Sequence, residues 1–392
     1  MNARDEQFPE CESANAQGVV SAAPLRPLHV GGPNIGSRER FLELLNGALD
    51  AIWLTNDGPL VQELEKRIAE YIGVGECVLT SNGTVALEIA ARALDLSGEV
   101  IVPSLTFIAT ALALSWQGIT PVFCDVDPDT YCLDPDAVER LITPRTTGIC
   151  GVHLFGRPCD VGALQSIADE RGLALFYDAA HAFGCSTGGR MIGSFGRCEV
   201  FSFHATKFFN TFEGGAVVTD DAGLAKRARS MRNFGLIGPE RVANQGLNGK
   251  MTEVCAAMGI ANLESVDVFI ECNRRNFEHY RAELGDIPGA RLIEFAAGER
   301  QNHQYVILEL DDSARMSRDE LMEGLRAENV LARRYFWPGC HKAEVYAADG
   351  PFDLPVTEVL CERLLALPTG TLVGSEDVRR VSEIVRSGLC GR

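Results

Sequence analysis

Positive charge is scarce in this chain: 36 Lys and Arg face 54 Asp and Glu among 392 residues, a formal charge of -18. Backbone phosphates and anionic membranes are held through clustered Lys and Arg, so unspecific binding to nucleic acid or to a lipid surface is not expected. Any anionic ligand must then meet a local positive site. There is no run of about 18 uncharged apolar residues, the length a membrane-spanning helix needs. The opening residues, MNARDEQFPECESANAQG, lack the apolar core of a secretory signal, so a cytoplasmic protein is expected. The thirteen Cys include no C-x-x-C pair and no Cys/His cluster with zinc spacing. An odd number scattered through apolar segments fits reduced core thiols, neither a disulfide framework nor a metal site. No G-x-G-x-x-G follows a strand-like run, which removes the usual sign of a nucleotide-binding dehydrogenase, and no internal repeat occurs.

What is present is an ordinary globular composition, 46% hydrophobic and 23% charged, in a chain long enough for two or three domains. Residues 1–25 are polar, small and aperiodic, and read as a loose arm. Helical spacing begins in FLELLNGALDAI and recurs in PLVQELEKRIAEYIG, where Pro59 and Gly73 stand as start and stop signals. Apolar runs then alternate with helix-like segments. CVLT (77–80), EVIVP (99–103), TPVFCDV (120–126), TGICGVHLF (147–155), LALFYDAA (173–180), EVFSFH (199–204) and GAVVT (215–219) read as strands. Strands separated by helices need crossovers, which give an α/β fold with a mainly parallel sheet covered on both faces. The large α/β domain is expected over 26–262. From 263 to the end a smaller α+β domain is expected, with a long helix, the strand YVILEL, a helix over DELMEGLRAENV and a loop-rich end.

Three segments carry the chemistry. In VLTSNGTVALEIAARAL a strand passes through small polar residues into a helix beginning near Thr84. Free N–H groups at a helix start form an anion site, and Gly83 lets a phosphate approach the main chain; a plain helix cap is the simpler reading. In LALFYDAAHAFGC, Asp178 ends an apolar strand, where open α/β sheets place their ligands; it can equally cap the next helix. In EVFSFHATKFFNTFEGGAVVT, Lys207 lies among Phe208, Phe209 and Phe212. Desolvation by such neighbours favours a neutral amine able to form a Schiff base, although a lone surface lysine is commoner. Ser202 and His204 on the same segment can hydrogen-bond a phosphate. A Schiff-base lysine, an acid for the pyridinium nitrogen, a phosphate cradle and a flat apolar face are the four needs of pyridoxal phosphate (PLP). Phe107, after VIVPS, supplies the face, or is an ordinary core ring.

These motifs resemble those of the DegT/StrS-type sugar aminotransferases, within the aspartate-aminotransferase, fold type I group of PLP enzymes. The stretches SNGTVAL, GEVIVPSLTFIAT, HLFGRP, YDAAHAFG, FSFHATK, EGGAVVT and GLNGKMTEVCAAMG carry the resemblance, which runs from about Ala51 onward. It implies that Lys207 holds the cofactor, Asp178 partners the ring nitrogen, His181 touches its phenolic oxygen or ring, and Phe107 stacks on it. It further implies Gly83, Thr84 and Ser202 on the phosphate, with Asn248 reaching the phosphate of a neighbouring subunit's cofactor in a homodimer with shared sites. An amino donor such as L-glutamate and a keto nucleotide sugar, taken in turn, are implied by the same likeness. VLARRYFWPGCHK resembles the subgroup that aminates carbon 4 of a TDP-4-keto-6-deoxyhexose. Arg333 and Arg334 then suit a diphosphate, and Tyr335, Phe336, Trp337 and His341 a sugar or base pocket; a solvated arginine pair beside core aromatics is the bland alternative. A 3-keto sugar or cyclitol aminotransferase, and a PLP-binding regulatory protein without turnover, stay open. A 3-dehydrase of the same family is disfavoured, because that branch carries His where Lys207 stands.

Overall fold

The computed structural model describes residues 26–391; the arm expected over 1–25 lies outside the described residues. Seven strands form one sheet: β1 (Glu76–Thr80), β2 (Glu99–Pro103), β3 (Thr120–Cys124), β4 (Thr146–Val152), β5 (Ala174–Asp178), β6 (Glu199–Ser202) and β7 (Gly215–Thr219). They are the seven runs expected from the sequence, and their order is β1-β7-β6-β5-β4-β2-β3. Strand β7 is antiparallel to both neighbours, and every other pairing is parallel. The exception has a simple cause: residues 203–214, between β6 and β7, contain no helix. Without a crossover the chain can only return alongside itself in the opposite direction.

Helices α1 (Arg38–Asp50), α2 (Pro59–Ile72), α3 (Gly83–Ala93) and α4 (Ala109–Ser115), with others along the chain, cover the sheet. Along β2, Ile101 packs into one buried cluster while Val100 and Val102 pack into another, so the strand is apolar on both faces. Because β1, β2, β5 and β6 are parallel, their carboxyl ends share one edge of the sheet. That edge carries the residues after Thr80, the loop after Pro103, Asp178 and Ser202.

A 19-residue helix, Val266–Leu284, leads to a second, antiparallel sheet of β8 (Ala290–Leu292), β9 (Val306–Leu310) and β10 (Leu364–Leu367). The first described residues join this later part: Leu28–His29 pairs in parallel with Val330–Leu331, and Arg26 makes a 3.0 Å ion pair with Asp377. The end of the chain is not loop-rich as expected. Helices Pro355–Arg363 and Ser375–Cys390 flank β10. In the last helix Val378, Val381, Val385 and Leu389 recur at helical spacing and are buried, each stabilising the fold by about 1.5–3 kcal/mol. Their stripe is narrow and set among charged residues, which is why it reads as loop by composition. Among the described residues no helix is long and apolar enough to cross a membrane, and no cluster of three metal-ligating side chains occurs. The described cysteines are free thiols, buried except at Cys255 and Cys390.

Candidate active site

The carboxyl edge of the sheet opens into a cavity of about 530 Å³. At one wall, Asn82 caps α3 by accepting the Val85 N–H at 2.9 Å. The cap reading is therefore right for Asn82, yet the N–H groups of the first turn, at Gly83 and Thr84, have no partner within the helix and line the cavity. A Cβ at position 83 would lie 2.8 Å from the Cβ of Ser202, and one at position 215 would lie 2.6 Å from the Asn82 carbonyl. Only glycines let β6, β7 and the start of α3 approach this closely, and Ser202 and the helix start thereby face one space.

Asp178, the last residue of β5, is 6% exposed. Its Oδ2 accepts from the Thr110 hydroxyl at 2.8 Å and its Oδ1 from the Ala180 N–H at 3.1 Å. Burial pushes its pKa up, against these hydrogen bonds and the nearby Lys207 charge. Lys207 lies in the turn after β6, its N–H donating to the His204 carbonyl at 2.8 Å. Desolvation lowers its amine to about 8, with the attraction of Asp178 opposing. This amine is neutral far more often at neutral pH than an ordinary lysine. Phe208, Phe209 and Phe212, the neighbours singled out from the sequence, lie outside the cavity. The first two are buried in the core beneath, and Phe212 packs on Phe41.

His181 is 5% exposed, and burial holds its pKa well below the usual value, the Lys207 charge adding to the effect. Its Nδ1 accepts the Phe155 N–H at 3.2 Å, so the neutral ring carries its proton on Nε2. The ring stacks near Phe336, 5.7 Å between centroids and 14° between planes. Phe107 is 57% exposed and projects into the cavity instead of the core. Tyr335, as expected, and Tyr305, which the sequence reading missed, complete an aromatic wall. His204 also lines the cavity, its Nδ1 2.8 Å from the Thr206 hydroxyl and its Nε2 3.5 Å from Glu213.

Other candidates are not brought in. Exposed Arg333 pairs through its backbone with Ala366, while Arg334 stacks on Trp337 at 4.2 Å and bonds Asp319 at 3.1 Å. Trp337 donates to Glu362 at 2.9 Å. His341 is buried away from the cavity: its Nδ1 is 2.6 Å from the Ser104 hydroxyl and its Nε2 3.4 Å from Glu358. It braces the loop that carries Phe107. Asn248 is exposed and absent from this chain's cavity. Thr106 and Thr110, whose hydroxyls lie 2.9 Å apart, were also missed.

A titratable lysine, a buried acid at the same cavity, a helix start beside Ser202, and aromatic faces together fit PLP. The chain matches the DegT/DnrJ/EryC1/StrS aminotransferase family over residues 36–386. DesI, solved in the presence of its TDP-sugar product, is 51% identical, with a TM-score of 0.90 over 93% of this chain and 94% of that one. DesV of S. venezuelae, solved in complex with a ketimine intermediate, is 33% identical, with a TM-score of 0.84 over 89% of this chain and 94% of that one. A dTDP-4-amino-4,6-dideoxy-D-glucose transaminase of Shigella dysenteriae is 37% identical over 366 residues, 92% of this chain and 99% of that protein. Fold, cavity and likeness agree, and the chain belongs to the DegT/DnrJ/EryC1/StrS aminotransferase family.

Proposed function

We propose that this aminotransferase uses PLP to move an amino group from an amino acid, L-glutamate foremost, to carbon 4 of a TDP-4-keto-6-deoxyhexose. The observation that carries the reading is the meeting of Lys207 and Asp178 in one aromatic-walled cavity. The choice of sugar is supported by the names of the Shigella relative and of DesI with its TDP-sugar product. When bound, PLP supplies an aldehyde that links to amines and a ring that takes up the electron pair released at the neighbouring carbon.

Lys207 would hold that aldehyde carbon, Asp178 would hold a proton at the ring nitrogen, and Gly83, Thr84, Ser202 and His204 would hold the phosphate. Phe107 and His181 would bound the faces of the ring, with the His181 Nε2–H free to donate into the cavity. Once released, the Lys207 amine takes the proton from the donor's α-carbon and later delivers a proton to carbon 4 of the sugar. The keto acid leaves before the sugar arrives, so ping-pong kinetics are expected. Tyr305, Tyr335 and Phe336 give the sugar side an apolar wall suited to a deoxy sugar and exclude water. We assign cofactor binding to residues 26–262, and that wall to the unit from 263 onward.

A homodimer belongs to the same reading. Ile52, Trp53, Leu54, Phe212, Phe234 and Val242 are large apolar side chains exposed in the single chain, a pattern that favours a second copy. Asn248, exposed and outside its own cavity, would then reach the partner's phosphate. A cytoplasmic setting is likewise proposed.

Purified protein incubated with PLP, glutamate and a panel of keto nucleotide sugars tests the assignment by mass spectrometry. The amine of the TDP-4-keto-6-deoxyhexose is expected; amination of a 3-keto sugar or a keto cyclitol alone overturns it. Lys207→Ala should lose both the visible absorbance of the bound cofactor and nearly all transamination.

A further inference from the structure

We propose that the Thr110 hydroxyl, aligned by Thr106, is a positioning group that fixes the Asp178 carboxylate and favours its negative charge where it would meet the cofactor's ring nitrogen. This role rests on the PLP reading of the cavity and concerns the chain's own hydrogen bonds. Thr110 Oγ1 lies 2.8 Å from Asp178 Oδ2, and Thr106 Oγ1 lies 2.9 Å from Thr110 Oγ1. An ionised carboxylate only accepts, so Thr110 must donate to it. Its single proton is then committed, and at the second contact its oxygen accepts from Thr106. Both hydroxyl dipoles therefore point toward Asp178.

The Ala180 N–H holds the other oxygen at 3.1 Å. With one fixed donor on each oxygen the carboxylate plane cannot turn, and the remaining lone pairs are left for a cationic N–H in the cavity. Both threonines are buried, which limits competition from water. Their turn is held in its own right: Thr106 N–H donates to the Ser104 carbonyl at 3.0 Å and Thr110 N–H to the Phe107 carbonyl at 3.1 Å. The Ser104 hydroxyl is in turn held by His341. Burial acts on Asp178 in the opposite sense, favouring the neutral acid, so the relay acts where the charge is most costly. Lys207, His153, Cys150 and Tyr305 are the other titratable neighbours of Asp178.

The test compares PLP-loaded wild type with Thr110→Val, Thr110→Ser and Thr106→Val by two readouts. One is the pH midpoint of the visible cofactor band; the other is loss of deuterium from the α-carbon of labelled glutamate. With Asp178 less firmly ionised a bound ring would be less positive, and the midpoint of its visible band would move to higher pH. Thr110→Val should raise the midpoint by about one pH unit and slow deuterium loss roughly ten- to hundredfold, the worth of one hydrogen bond to a charged group. Thr106→Val should shift both in the same direction by less, and Thr110→Ser should return both to within about threefold of wild type. Should Thr110→Val fail to fold, Thr110→Ala carries the same expectation. Wild-type values in Thr110→Val, or a Thr110→Ser as impaired as Thr110→Val, overturn the relay while leaving the PLP reading intact. A wild-type protein that stays colourless with PLP overturns both.

Discussion

Replacing Lys207 with Met should abolish transamination and yet make the cofactor-free protein more stable at neutral pH. In the unfolded chain this lysine keeps its proton up to the ordinary 10.5, whereas in the folded chain burial releases it near 8 despite the attraction of Asp178. Below pH 8 the fold therefore carries a cation better solvated in water. At about 1.4 kcal/mol for each tenfold change, the drop corresponds to roughly 3 kcal/mol of stability lost at pH 7. Between about 8 and 10.5 the unfolded chain binds more protons than the folded one, so this contribution to stability rises with pH across that window. Methionine has similar length and no charge, and it removes the penalty. Asp178 loses its counter-charge in the same variant, so about 3 kcal/mol is a ceiling and a gain of roughly 1–3 kcal/mol is expected. Urea unfolding of both cofactor-free proteins at pH 7 and pH 10 measures it, and the other buried thiols and phenols cancel in the comparison. The gap should shrink below about 1 kcal/mol at pH 10. A variant less stable than wild type at pH 7, or a gap that does not narrow, refutes the reasoning.

Asp178→Asn should retain PLP but lower kcat by at least about a hundredfold, since a fixed charge in a water-excluded site is removed; unchanged turnover takes Asp178 out of its role. Gly83→Ala places a Cβ 2.8 Å from that of Ser202, and the helix start must move. PLP affinity, measured by absorbance titration, should fall about tenfold or more, and wild-type affinity would show that the close approach is dispensable. His341→Ala breaks the 2.6 Å contact to Ser104 and should cost about 1–3 kcal/mol in unfolding. A raised KM for the nucleotide sugar at unchanged stability would instead return His341 to the substrate.

The central sheet was legible because strands buried on both faces produce continuous apolar runs such as EVIVP and GAVVT. Asp178 and Ser202 were legible for a related reason: each ends a strand at the edge where such sheets open. Thr110 was not, because within TALALS a hydroxyl looks like filler in an apolar helix. Tyr305 was not, because its place in the cavity comes from packing between parts of the chain far apart in sequence. In VLARRYFWPGCHK the residue types were seen, but sequence alone does not give side-chain direction. Tyr335 and Phe336 turn into the cavity, while Arg333 and His341 turn elsewhere. The last helix was missed because four buried apolar positions are hidden among its charges.

The most direct test of the account is chemical. Wild-type protein loaded with PLP, reduced with borohydride and digested should yield one modified peptide, carrying the pyridoxyl-phosphate mass on Lys207. An unmodified Lys207, or the same mass on a different lysine, would contradict the account.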